Sequence, residues 1–281
     1  ILLKMLARVC SRHVYGSVRQ MSNISNVETI IDSQSGIATV KMSQPPVNSL
    51  DKNLLTSITD TFKNLEKDSS ISGVLLTSKF DGRVFSSGLN ITDMFQQSDG
   101  HLAEFWSCVQ EWYLTLYGFG KPLVSAINGH SPAGGCAMAL MSDYRVMEKQ
   151  KSIGLNETQL GIVAPFFFAD LMIATVGRRI AEIGLNMGKL YSSEEALTIG
   201  LVDEVTDLES VVPNATKTLL KLTKIPQPAY KLSKQVQRNS PMETLRNDRA
   251  GDVALFVNII QTSNVQAAIG GYLKALKQKK K

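Results

Sequence analysis

The stretch KPLVSAINGHSPAGGCAMALM, residues 121–141, carries the reading of the fold. Its first part, Lys121 to Asn128, reads as a short strand that ends at Gly129. Ala133-Gly134-Gly135-Cys136 then opens an apolar helix running through Met141. The first N–H groups of a helix have no internal acceptor, and glycines at its start leave them uncovered. The segment therefore reads as a strand that delivers outward-pointing amides at its end.

The same rhythm extends on both sides. Ile37 to Met42 is β-rich and is followed by the breaker Gln44-Pro45-Pro46. From Asp51, a plausible N-cap, Leu54, Leu55, Ile58, Phe62 and Leu65 recur at helical spacing. Gly73 to Thr77 reads as a buried strand, Ser86 to Gly88 as a turn. Leu102, Phe105, Val109, Trp112 and Leu116 form a helical stripe. Tyr144 to Met147 is strand-like, and helical patterns return at Ala169–Val176 and Ser193–Gly200. Beyond about Val211 the chain is mostly helical, with Leu245, Leu255, Phe256, Ile259 and Ile260 as core candidates. Strands alternating with helices predict an α/β core with parallel strands, and the strandless tail should dock on that core or on a neighbouring subunit.

Composition narrows the function classes. The 281 residues are 43% hydrophobic and 20% charged, an ordinary globular balance. Spanning a bilayer takes roughly 20 apolar residues. The longest candidate, Gly161 to Val176, is interrupted by Pro165 and Asp170, so a soluble mature protein without a membrane span is expected. The net charge of +5 is concentrated at the two ends, with Lys4, Arg8, Arg12 and Arg19 before the core and Lys277, Lys279, Lys280 and Lys281 after it. No basic stripe with interleaved aromatics lies between, which argues against nucleic acid as a partner. A basic surface also suits a substrate carrying several phosphates. Cys10, Cys108 and Cys136 are too few and too far apart for a disulfide framework, and His13, His101 and His130 do not suggest a metal site. A reducing compartment is expected.

Residues 1–26 hold no acidic side chain, and Leu2, Leu3, Leu6 and Val9 with Lys4, Arg8 and Arg12 can form a short basic amphipathic helix. This is the pattern of a mitochondrial transit peptide, with a disordered basic tail as the plainer alternative. The expected organisation is a cleaved leader over 1–26, an α/β core over 27–210 and a helical region over 211–281.

Three segments place unusual backbone or charge at strand ends. The first is VFSSGLNI, residues 84–91, where Gly88 between small residues permits a tight turn and an uncovered amide. The second is INGHSPAGGC, residues 127–136. Two such turns on neighbouring strands can aim two amides at one oxygen, although each alone is more often structural than functional. The third, IGLNETQLGI, residues 153–162, supplies Glu157 in an apolar stretch followed by Phe166, Phe167 and Phe168. Burial there would raise the carboxyl pKa and improve a base; a surface glutamate near a helix start is the equal alternative. Ser86, Ser87, Ser131 and His130 invite a serine-nucleophile reading, but no Gly-x-Ser-x-Gly elbow is present.

Together, in this order, these segments resemble the crotonase (enoyl-CoA hydratase/isomerase) superfamily, from about Val27 to the C-terminus. The resemblance implies an α/β crotonase-like (ClpP/crotonase) fold of repeated ββα units with a C-terminal helical region. It places the oxyanion-hole amides at Leu89 and Gly134 and a catalytic carboxylate at Glu157. A second glutamate, which the hydratases of the superfamily use to place and deprotonate water, falls on Ala137. The pattern therefore resembles the branch that shifts a 3-cis or 3-trans double bond to 2-trans in fatty acyl-CoA, a step in β-oxidation of unsaturated fatty acids. Other outcomes are a hydratase or other crotonase, or a non-catalytic acyl-CoA- or RNA-binding paralogue. The family often has Asp where this chain has Asn90, and a local structural role is expected there. Further substrate contacts are expected at Ser86, Ser87, Gly88, Asn128 and Phe166. Lys231, Lys234 and Arg238 are candidates for the CoA phosphates. The resemblance also implies no metal and no cofactor beyond the coenzyme A of the substrate, a homotrimer built through 211–281, and the mitochondrial matrix as the site of action.

Overall fold

Alternation along the strands dictates a sheet covered on both faces. Val74 and Leu76 belong to one apolar cluster, while Leu75 between them belongs to a second on the opposite face. The computed structural model describes residues 18–24 and 26–278. Its elements begin with β1 (Val18–Ile24), β2 (Val27–Asp32), β3 (Ile37–Met42), α1 (Lys52–Lys67), β4 (Gly73–Ser78), β5 (Arg83–Val84) and α2 (Asp99–Tyr117). Next come β6 (Leu123–Ile127), β7 (Gly129–Pro132), α3 (Gly134–Leu140), β8 (Tyr144–Glu148), β9 (Ser152–Gly154), α4 (Phe166–Val176) and α5 (Arg178–Met187). They end with β10 (Tyr191–Ser192), α6 (Ser193–Thr198), β11 (Glu204–Thr206), α7 (Leu208–Leu222), α8 (Gln227–Asn247), α9 (Arg249–Ile260) and α10 (Ser263–Gln278).

Seven strands form the large sheet in the order β1-β2-β3-β4-β6-β8-β11, and four form a small one in the order β10-β9-β7-β5. The chain thus enters the large sheet on β4, β6 and β8 and leaves each time into the small sheet, on β5, β7 and β9. That is the repeated ββα unit. Asp51 caps α1 as expected, its carboxylate accepting from Leu54 N at 2.8 Å. The stripe of α2 is fully buried from Leu102 to Leu116. Val211, Ala215 and Leu219 of α7 cover the second face of the sheet against Leu75, Val124 and Val146. The tail's first helix is therefore docked on the α/β core.

Strand β1 takes residues 18–24 and pairs antiparallel with β2, Val18 opposite Asp32, inside the segment assigned to the leader. The rest of that assignment, residues 1–17 together with Ser25, lies outside the described residues. Leu255, read as core, is 58% exposed, because α9 turns its neighbour Phe256 inward instead. Among the described residues, no single helix is long and apolar enough to cross a membrane.

Backbones meet closely where α3 starts. A Cβ on Gly135 would lie 2.5 Å from the carbonyl oxygen of Ser86 and 3.2 Å from Ser131 Oγ. Because the first of these is backbone, neither side can yield cheaply. We expect Gly135→Ala to lose about 1–3 kcal/mol of stability, read as a lowered thermal midpoint.

Candidate functional site

Parallel pairing assembles the site. Strand β7 lies between β5 and β9, with Val84 opposite His130 and Pro132 opposite Gly154. Each of these short strands ends in one of the three unusual segments: Ser86–Leu89 after β5, Ala133–Gly134 after β7, and Asn156–Glu157 after β9. Parallel neighbours bring their C-terminal ends to one edge, where α/β proteins hold ligands. A hydrogen bond from Ala133 N to Gly154 O, 2.8 Å, ties the second segment to the third.

The first two turns are pressed together. Gly88 has φ +86°, and a Cβ on it would stand 2.9 Å from Gly134 N; a Cβ on Gly134 would stand 3.1 Å from Leu89 N. Both glycines leave room beside an amide. Leu50 N donates to Gly88 O and Asn90 N to Leu50 O, so the backbone on either side of Leu89 is fixed. Among the described residues, Leu89 N and Gly134 N themselves donate to no protein acceptor. Ala133, immediately before the helix, holds φ +50°, a left-handed value that is strained for a residue with a Cβ. The Ala133 turn aims the first amide of α3 and leaves it open.

These amides border a cavity of about 620 Å³ whose wall includes Leu89, Ala133, Gly134, Asn156 and Glu157. Among the described residues, Glu157 is its sole carboxylate, and Arg83 and Lys277 are its cations. Much of the remainder is apolar, including Met94, Trp106, Leu160, Ile162, Phe168 and Phe256. Trp106 stacks on Phe256 with ring centroids 3.8 Å apart. The Glu157 residue is partly open to the cavity, but its Oε2 is shielded from solvent and has no hydrogen-bond partner, as is Asn156 Oδ1. Burial pushes the Glu157 carboxyl up to about 7, opposed by a bond from its own backbone. A carboxylate poised there can both take and return a proton. If Glu157 is the base, kcat/KM of the free enzyme should rise with pH through about 7, as Glu157 loses its proton. A rate profile flat from pH 5.5 to 8.5 would contradict that role.

Not every residue expected at the site is part of it. Ser87 lines the cavity beside Leu89. Ser86 is buried behind it, donating to Asn48 O at 2.7 Å and accepting from Gly88 N at 3.2 Å, so it supports the turn. Asn128 is also buried, donating to Ser78 O and Asp81 Oδ1 and accepting from Ser78 N, and it fastens the end of β6. Phe166 stands 37% exposed off the cavity wall, while Phe168, two residues on, faces the cavity. Lys231, Lys234 and Arg238 border a separate cleft and share no wall with Glu157. Lys234 and Arg238 are held by Asp143 at 2.9 and 2.7 Å. His130 is exposed, bonded to Ser152 Oγ at 2.9 Å, and outside the cavity. Ala137 is fully buried in α3 and contributes no carboxylate.

Asn90 completes the first turn. Its Oδ1 accepts from Thr92 Oγ1 at 2.9 Å and its Nδ2 donates to Asp93 Oδ2 at 3.0 Å, while His101 Nε2 meets Asp93 Oδ1 at 3.0 Å. The charge missing at Asn90 is thus present three residues later. Helix α10 supplies a wall that sequence reading missed: Tyr272, Leu273, Leu276 and Lys277. The signal was present, since Val265, Ile269, Leu273 and Leu276 recur at helical spacing, and the buried Val265 and Ile269 anchor the helix.

Comparison with known proteins agrees with this geometry. The enoyl-CoA hydratase/isomerase family model matches residues 32–280. A mouse protein named enoyl-CoA delta isomerase 1, mitochondrial, is 42% identical over 282 aligned positions, covering 100% of this chain and 97% of that protein. The crystal structure of human mitochondrial delta3-delta2-enoyl-CoA isomerase superposes with a TM-score of 0.90 at 42% identity, over 92% of this chain and 100% of the other. An enoyl-CoA hydratase from Bacillus halodurans gives 0.79 at 25% identity, over 88% and 100%. Paired strands that end in two open amides and a buried glutamate, with a family match across nearly the whole described chain, lead to one statement: this chain belongs to the enoyl-CoA hydratase/isomerase family.

Proposed function

We propose that this protein is an enoyl-CoA isomerase of fatty acid β-oxidation that moves a 3-enoyl double bond to the 2-trans position, with Glu157 as its single proton carrier. The observation that carries the reading is the one carboxylate that the described residues place on a cavity bordered by two amides with no acceptor among those residues, its Oε2 shielded from solvent. The thioester oxygen sits between Leu89 N and Gly134 N. Glu157 takes a proton from C2, and the electron pair left behind delocalises into a dienolate whose charge rests largely on that oxygen. The protonated Glu157 then delivers the same proton to C4, so no water or second acid is consumed. Amides fixed in advance need no reorganisation as charge develops, and each such donor is worth about 2.7–4 kcal/mol of barrier. A positioned base adds roughly 100- to 10,000-fold.

Hydration needs a second group to place water, and the position where the hydratases of the family carry it is Ala137 in this chain, a methyl in α3. The 42% identity with a protein named as the isomerase supports the same choice. Arg83 and Lys277, the cations of the cavity wall, take the CoA phosphates in place of Lys234. The relatives' names support the mitochondrion as the compartment; the matrix follows from the basic leader, which we end before Val18 because β1 belongs to the sheet. Leu232 and Val236, one turn apart on α8, and Leu255 on α9 remain 62, 81 and 58% exposed in the single chain. An uncovered apolar surface of this kind supports assembly as a homotrimer through the helices of 211–281. The deciding experiment follows ultraviolet absorbance of the conjugated thioester. Conjugation appearing from a 3-enoyl-CoA supports the isomerase; conjugation lost at comparable rate from a 2-trans-enoyl-CoA would establish a hydratase instead.

A further inference from the structure

A second cavity, of about 130 Å³, lies between the end of α2 and one face of α8. Lys231, Lys234, Arg238 and Arg246 recur along that face at helical spacing, and all four border it. Among the described residues, no acidic one is on its wall. Three carboxylates reach these cations: Asp143 serves both Lys234 and Arg238, Glu66 meets Lys231 at 2.9 Å, and Glu243 meets Arg246 at 2.7 Å. Four cations therefore face three carboxylates, and the shared one, Asp143, lies under the two most buried cations.

Donors as well as charge are left over. Lys234 Nζ donates to Lys121 O and to Asp143, two of the three N–H groups an ammonium carries. Arg238 donates to Tyr117 O, Met141 O and Asp143, three of its five. Burial, opposed by Asp143 and reinforced by Arg238, pushes the Lys234 ammonium down to about 8, as expected for under-compensated positive charge. Positive charge held in a low dielectric without full compensation is unstable, and a small anion with several acceptors relieves both deficits at once. Ammonium and guanidinium donors converging on a small polar cleft match a tetrahedral oxyanion better than an acyl or aromatic group.

We infer that this cleft binds a phosphate-class oxyanion, free orthophosphate or the phosphate of a nucleotide, at a site distinct from the Glu157 cavity. Bound there, the anion clamps α8 to the α2–β6 connection. The inference stands on the cleft's own residues and is independent of the isomerase reading.

The test uses the full chain and thermal unfolding at constant ionic strength. Sodium phosphate should raise the midpoint saturably, by about 2–4 °C once phosphate exceeds its dissociation constant roughly fivefold, where sodium chloride does not. The rise should vanish in a Lys231→Gln, Arg246→Gln double variant, whose replaced side chains are half-exposed. It should also vanish in Asn239→Asp, which adds a carboxylate to the exposed rim. Midpoints of both variants in chloride report that they fold. Adenosine 3′,5′-bisphosphate, run in parallel on the parent and the double variant, separates the sources: the part of its shift that the double variant removes, if larger than that of phosphate, assigns the cleft to a nucleotide phosphate, and if equal or smaller, to the free ion. Equal midpoints in phosphate and chloride, or a phosphate shift undiminished in both variants, would overturn the inference.

Discussion

Glu157→Gln should lower kcat by about 10²- to 10⁴-fold and, at pH 8, leave the protein more stable than its parent. The first effect follows from removing the only carboxylate that the described residues place on the cavity wall while keeping its shape. An amide cannot take the C2 proton at useful rate, whereas the apolar wall and the two amides proposed to hold the oxyanion are untouched. KM should change little, so the loss should appear in kcat and kcat/KM alike. The second effect follows from burial. Burial pushes the folded carboxyl up to about 7 from the ordinary 4.5 of a glutamate, so folding favours its protonated form. That contribution is complete below pH 4.5 and is lost as pH rises through 7; at pH 8 the native state carries a buried, poorly partnered charge. Glutamine removes the charge, and the gain should be on the order of 1–3 kcal/mol at pH 8, shrinking toward pH 4.5. Chemical denaturation at pH 5 and pH 8, with ultraviolet rates on a 3-enoyl-CoA, reads both. A variant that keeps more than a tenth of the parental kcat would remove Glu157 from the mechanism. One that is equally stable at both pH values relative to the parent would mean that the carboxylate is solvated after all.

The arrangement around Glu157 was legible in unequal parts. The long strands and helices could be read because their apolar positions repeat: the α2 stripe and the Asp51 cap are local signals, each decided by a few neighbouring residues. The small sheet was not, since β5 has 2 residues and β9 has 3, too few for any period to show. Yet β5, β7 and β9 in parallel register are what bring three segments, spread from residue 84 to residue 157, to one edge. The family resemblance supplied that link. Residue by residue the outcome divides by the same logic. Glu157, Leu89 and Gly134 share a cavity because each lies in the segment that follows a short parallel strand, while Lys234 carries the right charge on a helix whose docking only tertiary structure reveals. Phe166 and Phe168 differ by two positions, and the start of α4 after Pro165 decides which of them faces inward. The α10 wall depends on a helix folding back across the whole chain, held by Gln266 to Gln96 N and to Met94 O.

Gly88→Ala tests the other half of the mechanism and should cost kcat about 10²- to 10³-fold, the scale of one oxyanion donor. The argument is spatial. Its added methyl would sit 2.9 Å from Gly134 N and 2.9 Å from Ala133 Cβ, so it must displace the turn or cover the amide proposed to receive the thioester oxygen. Either result removes one of two donors at the point of greatest charge development, leaving Glu157 and the cavity wall in place. The substitution also forces a residue with a Cβ into φ +86°, which costs roughly 1–2 kcal/mol of folding stability wherever it occurs. That second cost needs its own control, and Gly200 supplies one. It holds φ +76°, and a Cβ on it would meet no atom within 4 Å. Gly200→Ala should therefore lose comparable stability through the backbone alone and keep full activity. If both variants fall in thermal midpoint but only Gly88→Ala loses kcat, the defect belongs to the oxyanion contact. If activity falls in step with stability in both, the turn at Gly88 serves folding, and Gly134 N does not stabilise the dienolate.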